Sequence, residues 1–140
     1  MKQFFEEFVV QTRGQQLLDL TDIIVSFVAN SKVESGLINI SILHTSASLI
    51  IQENASEDVL YDLREYFDKI VPMGNDFYRH SDEGKDDMPS HIKSALTNTN
   101  LTLSIQNSEL RLGKWQGIFL FEHRISEHRR RILAHIMGTS

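Results

Sequence analysis

A short stretch of strictly alternating residues constrains the fold more than any other part of the chain. Between Leu37 and Leu43 the even positions are all isoleucine, whereas the odd positions include Asn39 and Ser41. Because side chains alternate between the two faces of a strand, this pattern predicts a β-strand with an isoleucine face in the core. The fold must therefore include a sheet with one buried face.

Further strands and helices are predicted on both sides of this stretch. Strands are expected over residues 4–11, 16–20, 47–51, 101–106, 110–112, 117–123 and 131–137. The second of these is interpreted as a short partner of the first, and Asn107-Ser108 as a hairpin turn. The candidate helix caps are Thr21 or Asp22, Asn54 or Ser56, and Asp87. This order of elements predicts an α+β fold in a single domain, residues 1–140.

Composition excludes several classes of protein. The formal net charge is −5, so there is no general basic surface for nucleic acid. The chain has no cysteine, which excludes disulfides, thiolate zinc sites and cysteine nucleophiles. Early charges argue against a signal peptide, and no apolar run approaches the ~20 residues needed to cross a bilayer. We therefore expect a soluble, cytoplasmic protein.

The most polar segment, residues 78–93, is the first candidate site. It combines two histidines, four carboxylates, an arginine and two lysines. A helix is expected to begin inside it, with Asp87 as the N-cap and Pro89 in the first turn, and a helix N-terminus suits a phosphate. The carboxylates could hold Mg²⁺, whereas convergence of His44, His80 and His91 would favour Zn²⁺. The alternative is a solvated loop that leads into a capped helix.

Three shorter motifs supply further candidates. In His44-Thr45-Ser46-Ala47 a serine nucleophile is disfavoured, because the sequence lacks a nucleophile elbow, and the histidine could be purely structural. Gln52-Glu53-Asn54 precedes a helix, so capping is as good an interpretation as ligand binding. In Gly113-Lys114-Trp115-Gln116-Gly117 the indole could stack on a planar ring or simply pack. His128 with Arg129–Arg131 is interpreted as a solvated turn, and His135 as pointing away from the core face.

Together these motifs resemble the YjbQ-like family, whose members are often labelled secondary thiamine-phosphate synthase enzymes. The matching segments run in order through nearly the whole chain. They are His44–Ala47, Gln52–Asn54, Tyr78–His80, Asp86–Lys93, Gly113–Gly117 and Glu122–Arg124.

The resemblance implies a compact α/β sandwich of mostly antiparallel strands that assembles as a homotrimer, with a polar cleft at or near a subunit interface. It also implies that a pyrimidine pyrophosphate is joined to a thiazole phosphate, as a weak activity. Catalytic residues are expected among His44, Ser46, Glu53, Asp87, Trp115, Gln116 and Glu122. Phosphate contacts are expected from Arg79 and Lys93, and metal ligation of Mg²⁺ or Zn²⁺ from His44, His80 and His91.

Two other functions are compatible with the same residues. The chain could form a non-catalytic trimer that binds a metal or a small ligand. It could also be a hydrolase that uses metal-bound water.

Overall fold

Two antiparallel sheets and three helices make up the part of the chain that the structure, a computed structural model, describes: residues 1–74 and 76–140. The strands are β1 (Lys2–Arg13), β2 (Gln16–Asp19), β3 (Ser35–Ile42), β4 (Ala47–Glu53), β5 (Asn100–Gln106), β6 (Glu109–Leu110), β7 (Gln116–Glu122) and β8 (Glu127–Thr139). The helices are α1 (Thr21–Ser31), α2 (Glu57–Ile70) and α3 (Asp87–Leu96). The predicted α+β class is confirmed.

The larger sheet has the strand order β1-β8-β3-β5-β6, and the smaller one β2-β7-β4. The predicted isoleucine face of β3 is confirmed, because Ile38, Ile40 and Ile42 are all buried. They share one core with Leu49 and Leu120 of the smaller sheet. Burying one side chain of this size contributes about 1.5–3 kcal/mol to the free energy of unfolding. The alternating isoleucines therefore largely determine which face of β3 packs against the smaller sheet.

The prediction for residues 16–20 was wrong about the partner strand. β2 pairs with β7 in the smaller sheet, not with β1. Gly14, with a φ of +98°, turns the chain sharply between the two strands. Leu20 is then buried, and its N–H donates to the Ile118 carbonyl at 2.8 Å. Burial of an apolar residue in the second sheet therefore outweighs simple hairpin pairing.

The predicted cap of α2 is confirmed at Ser56, whereas α1 and α3 each begin one residue earlier than predicted. The N-caps of α1, α2 and α3 are Leu20, Ser56 and Asp86, and no cap side chain bonds to its own helix. At α3 the reason is tertiary, since the Asp86 carboxylate accepts hydrogen bonds from Arg124 and Ile125.

The predicted solvated turn at Arg129–Arg131 is also wrong, because these residues and His128 lie within β8. Strand alternation turns Arg130 inward, where it is buried, and leaves its two neighbours exposed. His135 does point away from the core face, and its ring stacks on Phe5 with a centroid distance of 4.1 Å. Among the described residues, no helix is long and apolar enough to span a membrane.

Candidate metal site

Two histidines and one aspartate converge at the start of α3. His80, Asp87 and His91 each offer a ligand atom, and these atoms lie within 4.8 Å of one another. The Asp87 side chain is 2% exposed, whereas those of His80 and His91 are 50% and 32% exposed. The cluster therefore has a buried carboxylate at its base and imidazoles that border solvent.

The helix accounts for part of this geometry. Asp87 and His91 are four residues apart, so α3 places them on the same face. His80, in the preceding loop, approaches with Nε2 at 2.5 Å from Asp87 Oδ2. His91 Nε2 lies 3.5 Å from Asp87 Oδ1. The carboxylate thus lies between the two imidazoles.

His91 is held in an orientation that suits metal binding. Its Nδ1 donates to the Thr45 carbonyl oxygen at 3.0 Å. That bond fixes the tautomer and leaves the Nε2 lone pair facing Asp87, an arrangement common among metal-binding histidines. The His44–Ala47 motif therefore contributes through its backbone.

Of the three histidines predicted to converge, the structure brings two together within one chain. His44 Nε2 instead accepts a hydrogen bond from the Arg131 N–H at 2.8 Å. Partial burial and the nearby Arg130 cation lower the pKa of His44. Asp87, which we expected to be catalytic, takes the third position in the cluster.

Glu122 is not available as an exposed catalytic carboxylate. It is fully buried and accepts hydrogen bonds from Arg130 and from the Thr12 hydroxyl, the latter at 2.6 Å. Burial opposes its ionisation, but these hydrogen bonds outweigh that effect and lower the pKa of Glu122. Arg130 also donates to the Ser46 carbonyl at 3.2 Å, so the pair supports the motif that orients His91.

Lys93 faces inward and is not placed to contact an anion at the cluster. It is 1% exposed, and its Nζ pairs with Asp68 at 2.5 Å. His123 is buried nearby, with Nε2 at 2.9 Å from the Ser48 hydroxyl. Burial, together with the Lys93 and Arg130 cations, lowers the pKa of His123 to about 3.

The N-terminus of α3 offers little to an anion. The Asp87 N–H already faces the Gly84 carbonyl at 3.4 Å, and Pro89 has no N–H. Arg79 remains exposed beside His80. This geometry does not support the anion site expected at the helix start, although Arg79 and Lys85 in the preceding loop are exposed.

Three of the predicted site residues, Glu53, Trp115 and Gln116, form a second group. Strands β4 and β7 pair antiparallel, with Ala47 opposite Glu122 at one end and Glu53 opposite Gln116 at the other. Six residues of extended chain span about 20 Å, so within one chain this second group is remote from the histidine cluster. Trp115 is 57% exposed there. Its carbonyl accepts the Asn54 N–H at 2.9 Å.

Several residues that shape the cluster were not anticipated from the sequence. Arg124 and the Thr45 carbonyl contact it directly, and Arg130 supports the Thr45 segment. The spacing of four between Asp87 and His91 was a visible signal, because the predicted helix makes such residues neighbours. The tertiary hydrogen bonds had no comparable signal.

The fold and cluster define a small α+β protein with a two-histidine, one-aspartate cluster, in which α3 supplies Asp87 and His91 and the preceding loop supplies His80. The chain belongs to the YjbQ family, since residues 6–139 match the family model described as UPF0047 protein YjbQ-like. UPF0047 protein sll1880 of Synechocystis is 48% identical over 137 residues, 98% of this chain and 93% of that protein. YjbQ of Escherichia coli O157:H7 is 43% identical over 129 residues, 91% of each.

Solved structures support the same assignment. A YjbQ/UPF0047 family protein of Clostridium acetobutylicum matches with a TM-score of 0.87 and 31% identity, covering 94% of this chain and 99% of that one. A protein of Sulfolobus solfataricus, described as YbjQ-like and of unknown function, matches with a TM-score of 0.89, 22% identity and 98% of each chain. The second similarity concerns the fold alone.

Proposed function

We propose that the protein is a metal-dependent enzyme that acts on a small phosphorylated substrate, with His80, Asp87 and His91 as the metal ligands. The observation that carries the proposal is the convergence of these three residues, with His91 already oriented through Thr45. Two imidazoles and one carboxylate suit Zn²⁺ or a similar transition metal better than Mg²⁺. Three protein ligands leave a coordination position open to substrate.

Each residue then has a definable task. A bound divalent ion would supply Lewis-acid stabilisation of negative charge on a phosphate oxygen. His80 and His91 border solvent and leave that side of the site open, whereas the buried Asp87 forms its base. Arg79, which is exposed and precedes His80 in the chain, would contact a phosphate of the substrate. Trp115 and Gln116, about 20 Å away in the same chain, would serve this reaction only from a neighbouring protomer.

The specific reaction to test is the synthesis of thiamine phosphate, as the family resemblance implies. A bond would form between the thiazole nitrogen and the pyrimidine methylene carbon, while the carbon–oxygen bond to pyrophosphate breaks. The charge leaving on pyrophosphate is the reason for a metal and a cation at the site. The family membership and the donor set support this proposal.

A second candidate, a metal-binding protein without turnover, is favoured by the shortage of free cations. Lys93 pairs with Asp68, and Arg124 pairs with Asp86 and Asp87. Arg79 and Lys85, the exposed cations of this segment, would compensate only part of the charge on pyrophosphate. Hydrolysis by metal-bound water is a third reaction that the same ligand set could support.

We expect the purified protein to bind Zn²⁺ or Co²⁺ at one site per chain. His80→Ala, His91→Ala and Asp87→Asn should each weaken binding by roughly a hundredfold or more, because each removes one of three ligands. Metal analysis and competition with a chelator would measure this. His128→Ala is the control, because that histidine lies outside the cluster. Wild-type affinity in the three cluster variants would contradict the ligand assignment.

Turnover then separates the candidate functions. The metal-loaded protein should convert the two thiamine precursors to thiamine phosphate, and His91→Ala should lose this activity. Metal binding without turnover of either precursor would favour the binding protein. Release of inorganic phosphate from the precursors, without condensation, would favour the hydrolase.

We also propose that the protein is a homotrimer, which rests mainly on the family resemblance. Large apolar side chains are exposed on the outer face of the five-stranded sheet, and an exposed apolar patch often marks a protein contact. They are Phe5 at 61%, Val9 at 48%, Leu37 at 46% and Met137 at 38% exposure.

Light scattering should give three times the chain mass of 16.1 kDa. Val9→Glu should lower that mass, because a charge would be buried in the interface. Val25→Glu is the matched control, since Val25 is 44% exposed on α1, away from this face. A monomer at micromolar concentration would contradict the proposal.

A further inference from the structure

Arg124 lies directly behind the histidine cluster, against the two aspartates at the start of α3. Its Nε donates to Asp86 Oδ2 at 2.8 Å, and its Nη1 to Asp87 Oδ1 at 2.8 Å. Its Nη2 donates to the Glu83 carbonyl at 3.0 Å. Every guanidinium nitrogen thus has an acceptor, and the side chain is only 15% exposed. Arg124 is held rigidly.

Asp86 anchors the other side of this arrangement. Its Oδ2 also accepts the Ile125 N–H at 2.9 Å. The Asp86 side chain is only 5% exposed, and its carboxylate pairs with the Arg124 guanidinium. This pairing with Asp86 keeps the guanidinium in place beside the cluster.

The two oxygens of Asp87 consequently have different surroundings. Oδ1 accepts from Arg124, whereas Oδ2 faces His80 Nε2 at 2.5 Å. Rotating the carboxylate so that both oxygens face one ion would break the bond to Arg124. Asp87 is therefore set up to offer a metal one oxygen.

We propose that Arg124 is the positioning residue of the metal site on which the proposed function rests. By holding one oxygen of Asp87, it makes the carboxylate a one-oxygen ligand. It thereby favours a four-coordinate ion such as Zn²⁺ over Ca²⁺, which takes six to eight oxygens and often binds both oxygens of one carboxylate.

The direction in which metal affinity changes when Arg124 is replaced distinguishes positioning of Asp87 from simple charge repulsion. A positive charge beside a cation site repels the ion, so removing it should tighten binding if Coulomb repulsion were its main effect. If Arg124 positions Asp87, removing it should weaken binding, because the carboxylate would lose its orientation. Arg124→Lys keeps the charge but loses the two-pronged geometry, so it should behave like Arg124→Gln.

The experiment compares the wild-type protein with Arg124→Gln and Arg124→Lys, each freed of metal and checked for folding by circular dichroism. Dissociation constants for Zn²⁺ and Ca²⁺ are measured by chelator competition and calorimetry. The visible absorption of the Co²⁺ form reports the coordination number. Arg111→Gln, at an exposed arginine, is the control for the change in charge.

Both Arg124 variants should bind Zn²⁺ about 10–100-fold more weakly, with a smaller preference over Ca²⁺ and weaker Co²⁺ absorption. Unchanged or tighter Zn²⁺ binding in a folded variant would overturn the role of Arg124 alone. If Arg124→Gln does not fold, Arg124→Lys decides the question by the same criteria. Absence of Zn²⁺ binding by the wild-type protein would overturn the metal site itself, and the role of Arg124 with it.

Discussion

Replacing Arg130 with methionine is expected to lower the free energy of unfolding at pH 7 by roughly 3–5 kcal/mol. The arginine and Glu122 form a buried pair, with side chains 3% and 0% exposed. Without its partner the carboxylate would remain buried as an uncompensated charge. Urea unfolding would measure the loss, with every variant at the same protein concentration, since the apparent stability of an assembling chain depends on concentration.

The neighbouring residue provides a matched control. Arg131 of β8 pairs with Glu7 of β1 on the outer face of the larger sheet, with side chains 55% and 40% exposed. Arg131→Met should therefore change stability little. The double variant Glu122→Gln/Arg130→Met should recover part of the loss, since no buried charge is left without a partner. A loss in Arg130→Met no larger than in Arg131→Met would refute the importance of the buried pair.

The fold was predictable from the sequence where the local residue pattern alone determines which side chains are buried or where the chain turns. The isoleucines of β3 required one buried face, and the Asn107-Ser108 turn was correctly placed between β5 and β6. Both residues of that turn have positive φ, 55° and 64°, as tight hairpins require. The partner of β2 was not predictable, because a four-residue strand pairs with whichever edge buries its flanking leucine.

The candidate site was predictable to the level of its segment and its two histidines, but the third member of the cluster and the surrounding contacts were not. The density of titratable groups identified residues 78–93, and the helix spacing makes Asp87 a neighbour of His91. Arg124 lies 37 residues beyond Asp87, and their contact depends on how β7 ends against α3. No periodicity in one sequence encodes such a pairing. His44 was grouped with the other histidines from its motif, but the backbone of β8 holds its ring.

Acid destabilisation between pH 6.5 and 3 is expected to depend strongly on His123. Its pKa is about 3 in the folded protein, because burial and the Lys93 and Arg130 cations disfavour the imidazolium. In the unfolded chain an ordinary pKa near 6.5 is expected. As the pH falls below about 6.5, His123 binds a proton in the unfolded chain but not in the folded protein. The contribution of His123 to the free energy of unfolding is therefore complete above its pKa in the unfolded chain and decreases towards pH 3.

The size of the effect follows from the two pKa values. Each unit of difference corresponds to about 1.4 kcal/mol, so His123 would account for roughly 4–5 kcal/mol of lost stability over this range. His123→Gln keeps a hydrogen-bonding partner for Ser48 but removes the titration. The free energy of unfolding of His123→Gln should therefore fall less steeply with decreasing pH than that of the wild-type protein. The difference in slope should correspond to about one proton fewer taken up on unfolding.

The measurement is urea unfolding at several pH values, with a chelator present so that metal binding does not contribute its own pH dependence. The same substitution at His128 controls for the loss of one imidazole elsewhere in the chain. The comparison concerns slopes, so a lower stability of His123→Gln at pH 7 does not affect it. Equal slopes for His123→Gln and the wild-type protein would show that His123 accepts a proton without unfolding. The neutral, buried imidazole between Ser48 and the two cations would then be the wrong description of this part of the core.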